Sequence, residues 1–151
     1  MNMIAVDDEK LALELLEDSI AKAVPDADVH AFRKPDEAVE YVRTNGCDVA
    51  FLDIKMRGMT GLELARRLKD ICHEVNIIFV TGYSQYTLEA FRLYASDYLL
   101  KPATPDTVTQ ALEHLRVPVK PKREKTIRLQ CFGNFEVFSN DSPRPFSAGQ
   151  D

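Results

Sequence analysis

Five polar side chains stand directly behind short apolar runs in this sequence, and their types suit one kind of chemistry. Asp7 and Asp8 follow Met3-Ile4-Ala5-Val6, Asp53 follows Asp48-Val49-Ala50-Phe51-Leu52, Thr81 follows Val75-Asn76-Ile77-Ile78-Phe79-Val80, and Lys101 follows Tyr98-Leu99-Leu100. Three carboxylates gathered at one rim repel one another, and a hard divalent cation with oxygen ligands, such as Mg²⁺, is the simplest relief. Such a cation keeps coordination positions for phosphate oxygens. A lysine and a hydroxyl beside it suit the remaining oxygens of a phosphoryl group, as charge and as hydrogen-bond partner. The set therefore reads as a Mg²⁺-assisted phosphoryl site with a carboxylate nucleophile. Any one aspartate after a strand is commonly a helix cap or a solvated loop residue. Capping explains neither all five placements nor the Lys101-Pro102 pair.

The elements that must position these residues follow from hydrophobic period. Met3 to Val6 is a continuous apolar run, suited to a strand buried on both faces. Between Lys10 and Ala23, Leu11, Leu15, Ile20 and Val24 recur at helical spacing, Leu16 widens the stripe and Pro25 stops it. Val29-His30-Ala31-Phe32 reads as a second strand, and Pro35-Asp36-Glu37 opens a helix that Asn45-Gly46 closes. Further strands are predicted over 48–52, 75–80 and 98–100, and further helices over 62–71, around 85–94, and from Thr104-Pro105 to about Arg116. Strand and helix alternate five times, which predicts an α/β fold with a parallel sheet covered on both faces. Ligands of such sheets bind beyond the carboxyl ends of the strands.

Composition supports this and excludes other classes. The chain of 151 residues is 45% hydrophobic and 28% charged, enough apolar material for a core. No apolar run reaches the roughly 18 residues of a membrane span, and no basic segment precedes an apolar one at the amino terminus, so the expected location is cytoplasmic. Cys47, Cys72 and Cys131 form no CxxC pair and read as small apolar residues; His30, His73 and His114 match no metal spacing. Residues 1–116 hold 13 Lys and Arg against 20 Asp and Glu, a net −7, whereas residues 117–151 hold 6 against 4, a net +2. The expected organisation is a domain over 1–116, a Pro- and Lys-rich linker over 117–125, and a β segment over 126–151 in which Thr126 to Phe132 and Phe135 to Phe138 alternate apolar and polar. The basic run Lys120, Lys122, Arg123 and Lys125 reads as solvated linker.

Over residues 1–116 the chain resembles the receiver domain of two-component response regulators. The residues that carry the resemblance are Asp7-Asp8-Glu9, Phe51-Leu52-Asp53-Ile54-Lys55-Met56, Thr81-Gly82 and Asp97-Tyr98-Leu99-Leu100-Lys101-Pro102. The resemblance implies a doubly wound, flavodoxin-like sheet of five strands in the order 2-1-3-4-5. It implies that Asp53 is the phosphoacceptor, charged by a sensor histidine kinase or a small phosphodonor. It further implies Mg²⁺ ligated by Asp8, Asp53 and the backbone carbonyl of Lys55, with Asp7 acting largely through water. Lys101 and Thr81 would contact the phosphoryl oxygens, Tyr98 would be the switch aromatic, and residues 84–116 would form an output face that often dimerises. The chain is then no enzyme beyond its own phosphorylation and dephosphorylation.

Two departures from the family pattern stand in the acceptor loop, Arg57 where a proline is usual and Thr60 where an acidic or small residue often precedes the glycine; both predict a less rigid loop. Tyr83, two residues beyond Thr81, is expected to limit access of the attacking water. Residues 126–139 resemble the opening strands of a winged-helix DNA-binding effector domain, which implies a transcriptional regulator cut inside its effector. The alternative is a stand-alone receiver acting through protein contacts or phosphotransfer.

Overall fold

The computed structural model of the chain describes residues 1–82 and 95–119. Five strands, β1 (Asn2–Val6), β2 (Asp28–Phe32), β3 (Val49–Leu52), β4 (Asn76–Thr81) and β5 (Asp97–Leu100), form one sheet in the order β2-β1-β3-β4-β5. Every pairing is parallel. Among the described residues four helices cover it: α1 (Lys10–Ala23), α2 (Pro35–Asn45), α3 (Gly61–Ile71) and α4 (Pro105–Leu112). This is the expected flavodoxin-like topology. The helix expected around 85–94, Tyr83, the basic run at 120–125 and the β segment from 126 onward lie outside the described residues.

Alternation along the strands divides the core in two. Ile4, Val6, Ala50, Leu52, Ile77 and Phe79 point to one face and meet Ala38 and Val42 of α2 and Leu64 and Leu68 of α3. Met3, Ala5, Val49, Phe51, Ile78 and Val80 point to the other and meet Leu13, Leu16 and Ile20 of α1 and Val108 and Ala111 of α4. Each large aliphatic side chain so buried stabilises the fold by about 1.5–3 kcal/mol before entropy is counted.

Local signals set the helix ends. Pro35 stands in the first turn of α2, and Gly46 ends that helix with φ +73°. The Thr60 side chain accepts from the Glu63 amide and caps α3, so this departure orders the loop end that it was expected to loosen. Thr104 and Thr107 form a reciprocal capping box at α4.

Two sequence expectations are corrected. On α1 the buried leucines are Leu13 and Leu16, whereas Leu11 is 80% and Leu15 48% exposed. The inward stripe is rotated from the one read off the spacing, because α1 lies against both the sheet and α4 and the helix period permits either choice. The last helix ends at Leu112 instead of near Arg116. Past that point the Arg116 amide donates to Ser96 Oγ and the Val117 amide to Asn76 Oδ1, so the chain leaves helical pairing for partners at the amino ends of β4 and β5. The first residues assigned to the linker are therefore fastened to it, and Val119 packs on the α1–α4 side of the core.

Candidate functional site at the carboxyl ends of the strands

The sheet register places Asp7, Asp53 and Lys101 one step beyond the ladder while keeping their amides bonded to it, and places Thr81 on its last rung. Val6 pairs with Phe32 and Leu52, and Leu52 with Phe79. The Asp7 amide then donates to the Phe32 carbonyl at 3.1 Å, the Asp53 amide to the Val6 carbonyl at 2.9 Å and the Lys101 amide to the Thr81 carbonyl at 2.9 Å. Each side chain is thus carried on rigid backbone.

Asp7 is 1% and Asp53 5% exposed. Lys101 Nζ lies between them, 2.7 Å from Asp7 Oδ2 and 3.3 Å from Asp53 Oδ2, with Glu9 Oε1 at 3.8 Å. Asp7, Asp8 and Asp53 each offer a carboxylate oxygen, and these lie within 4.8 Å of one another. Burial, then the charge of Asp7, raises the Asp53 carboxyl above the ordinary carboxylate range, with Lys101 partly offsetting both. Burial alone would lower Lys101, but the hydrogen bond to Asp7 and the charges of Asp53 and Asp7 together raise it. The Thr81 hydroxyl is fully buried at the neighbouring strand end and has no hydrogen-bond partner among the described residues.

Asp8 is held differently. Its Oδ2 accepts from the Arg57 amide at 3.0 Å and from Arg57 Nε at 3.4 Å, and its backbone carbonyl accepts from Arg33 Nη2 at 3.2 Å and Nε at 3.4 Å. A proline at position 57 could donate neither bond, so Arg57 also ties down the loop between β3 and α3. An open cleft of about 410 Å³ is lined by Asp8, Glu9, Asp53, Lys55, Arg57 and Lys101.

The structure therefore brings Asp7, Asp8, Asp53, Lys55, Thr81 and Lys101 to one rim. Tyr98 does not line the cleft; it is half-buried and packs on the α2–α3 side of the core. Glu9, Arg33 and Arg57 are site residues that the sequence reading did not include. Arg57 had a visible signal, its place in the loop that follows Asp53, but nothing local to Arg33 announces a contact with a residue 25 positions away.

Residues 3–113 match the model of the response regulator receiver domain. The chain belongs to that family. Among curated receiver-containing proteins it is 32% identical over 113 residues to the sensory transduction protein LytT of Bacillus subtilis, covering 75% of this chain and 47% of LytT. It is 34% identical over 149 residues to the positive alginate biosynthesis regulatory protein of Pseudomonas aeruginosa, covering 95% of this chain and 56% of that protein. The chain thus spans about half the length of the curated relatives it matches. Of solved receivers, the response regulatory domain of mrkE from Klebsiella pneumoniae superposes with a TM-score of 0.68 at 30% identity, over 76% of this chain and 94% of that one. The response regulator TrrA of Thermotoga maritima, solved in complex with Mg²⁺ and BeF, superposes with a TM-score of 0.66 at 26% identity, over 74% of this chain and 96% of that one.

The residues of this receiver fit a divalent cation. Three hard oxygen donors converge, one of them is raised by burial and by its acidic neighbour, and the unpartnered Thr81 hydroxyl lies at the adjoining strand end. Among the described residues no helix is long and apolar enough to cross a membrane.

Proposed function

We propose that this receiver accepts a phosphoryl group on Asp53 and thereby switches a transcriptional effector attached at its carboxyl end. The observation that carries the reading is Lys101 Nζ seated between Asp7 and Asp53 at the cleft, with the orphan Thr81 hydroxyl at the next strand end. An Asp53 carboxylate oxygen attacks phosphorus, the bond from phosphorus to the kinase histidine nitrogen breaks, and the departing imidazole keeps the electron pair and takes a proton from solvent. Asp8, Asp53 and the Lys55 backbone carbonyl would hold Mg²⁺, with Asp7 acting through water. The cation supplies neutralisation of charge on the phosphoryl oxygens.

After transfer Lys101 exchanges its Asp53 contact for a phosphoryl oxygen, and Thr81 gains the acceptor it lacks. Both movements pull on the ends of β4 and β5, and Tyr98 on β5 is the aromatic that would follow. Residues 84–116 form the output and dimer face in this reading. Leu11 and Leu15, exposed on the helix that begins directly after Glu9, offer apolar surface beside the cleft for the histidine kinase. Residues 126–151 are read as the first strands of a winged-helix DNA-binding domain, on the run Cys131-Phe132-Gly133-Asn134-Phe135-Glu136-Val137-Phe138. Relatives named as transcriptional or biosynthesis regulators support that output, and the protein acts in the cytoplasm.

Incubation with Mg²⁺ and acetyl phosphate, read by intact mass, tests the assignment. One phosphoryl group should add to the wild-type chain, none with EDTA and none to Asp53→Asn. Addition to Asp53→Asn at the wild-type rate would overturn it.

A further inference from the structure

Arg57 has no part in the phosphoryl chemistry above, yet both its backbone amide and its side chain contact Asp8 from the loop after Asp53. Its amide and its Nε both reach Asp8 Oδ2, at 3.0 and 3.4 Å. Arg33 grips the backbone carbonyl of the same residue. Asp8 is thus clasped by cations at both its carboxylate and its main chain.

The two cations at the carboxylates differ in how easily they leave. Lys101 is three-quarters covered and engages Asp7, Asp53 and Glu9 together, whereas the Arg57 side chain is 85% exposed against 17% for Asp8. Among the described residues its side chain holds one ion pair, with the guanidinium in solvent, and long side chains give up such surface pairs at little cost. While the pair stands, one lone-pair direction of Asp8 is occupied and a unit positive charge lies where an approaching cation meets repulsion.

We propose that Arg57 is a positioning residue that latches Asp8 in the metal-free receiver and sets the Mg²⁺ concentration at which the site loads. This rests on the reading that Asp7, Asp8 and Asp53 bind Mg²⁺. The latch holds the empty site in order and releases Asp8 by swinging its guanidinium into solvent, while the amide bond from residue 57 keeps the carboxylate oriented. Loading is then less sensitive to Mg²⁺ than in a receiver with an uncharged residue at this position.

Calorimetric titration of MgCl₂ into the unphosphorylated chain at low ionic strength tests this, with Arg57→Gln, Arg57→Lys and Asp8→Asn beside wild type. Glutamine removes the charge and keeps the amide donor, and the site is exposed enough that folding, checked by thermal melt, should not change. Arg57→Gln should bind Mg²⁺ about two- to five-fold more tightly, the range an exposed ion pair commands. Arg57→Lys should stay near wild type. The gain should shrink in about 1 M salt, where the screening length falls to roughly 3 Å. Equal affinity of wild type and Arg57→Gln, with Asp8→Asn weakened, would overturn the latch and leave the metal site standing. Absence of binding to wild type, or binding unaffected by Asp8→Asn, would overturn both.

Discussion

Gly61 packs its α-carbon directly against the backbone of Asp53. The Gly61 amide donates to the Ile54 carbonyl at 2.7 Å, and a Cβ added at Gly61 would overlap the Asp53 carbonyl oxygen while lying 2.7 Å from its carbon and 2.8 Å from the Ile54 Cα. The first residue of α3 is thereby the floor under Asp53. Alanine at a helix position ordinarily gains about 1 kcal/mol over glycine. Here the neighbour is main chain that cannot rotate away, so Gly61→Ala should instead destabilise by about 1–3 kcal/mol, read from urea midpoints, and slow acetyl phosphate labelling of Asp53.

The orphan hydroxyl of Thr81 separates stability from switching. Valine keeps the shape and removes a buried oxygen that has no hydrogen-bond partner among the described residues. Thr81→Val should raise the unfolding free energy by about 1 kcal/mol. It should still take up one phosphoryl group by intact mass, but the near-ultraviolet signal of the tyrosines should respond less to phosphorylation than in wild type.

Asp53 makes stability depend on pH with a definite sign. Burial first, and Asp7 second, raise its carboxyl in the folded state above the unfolded value of about 3.9. A group raised in this way favours the fold when protonated, and that advantage is lost as pH rises through the raised value. Asp53→Asn should therefore be more stable than wild type at pH 7 in EDTA. The gap should close as pH falls to 4 and below, measured by denaturant melts at each pH. Added Mg²⁺ should narrow the gap at pH 7 by stabilising wild type through binding.

The rotated stripe of α1 predicts opposite outcomes for neighbouring leucines. Leu13 is 6% exposed and Leu11 80%. Leu13→Ala should cost about 2–4 kcal/mol and Leu11→Ala less than about 0.5 kcal/mol in chemical denaturation.

Asn76 ties the end of the domain to the sheet. Its Nδ2 donates to the carbonyls of Val117 at 2.8 Å and Asp48 at 3.2 Å, and its Oδ1 accepts from the Val117 amide at 2.8 Å and Ser96 Oγ at 3.1 Å. Asn76→Ala should destabilise by about 2–4 kcal/mol, several buried hydrogen bonds being lost together. Protection of the Val117 amide from hydrogen exchange should fall by more than that of the β3 amides.

Much of this was legible in the chain alone. Continuous apolar runs such as Ile77 to Val80 announce strands buried on both faces, and Thr104-Pro105 announces a capped helix start, because both depend on neighbours within a few residues. Asp7, Asp8, Asp53, Thr81 and Lys101 were legible as a set because parallel topology sends every strand's carboxyl end to one rim. The face of α1 was not, since Leu11, Leu13, Leu15 and Leu16 satisfy two helical stripes and only the position of α4 chooses between them. Nor was the end of α4, which is decided by Asn76 and Ser96, 41 and 20 residues away from the groups they bind.

Among the described residues, sequence by itself determined where the five strands and four helices lie to within a few residues and which polar types stand at the rim, because those follow from short-range period and from parallel topology. Tertiary structure alone decided the pairing there: that Lys101 bridges Asp7 and Asp53, that Arg57 and Arg33 take Asp8, and that the Thr81 hydroxyl has no hydrogen-bond partner among the described residues. Partner choice among several acids and bases depends on distances of a few ångströms between segments dozens of residues apart, and no local pattern encodes them.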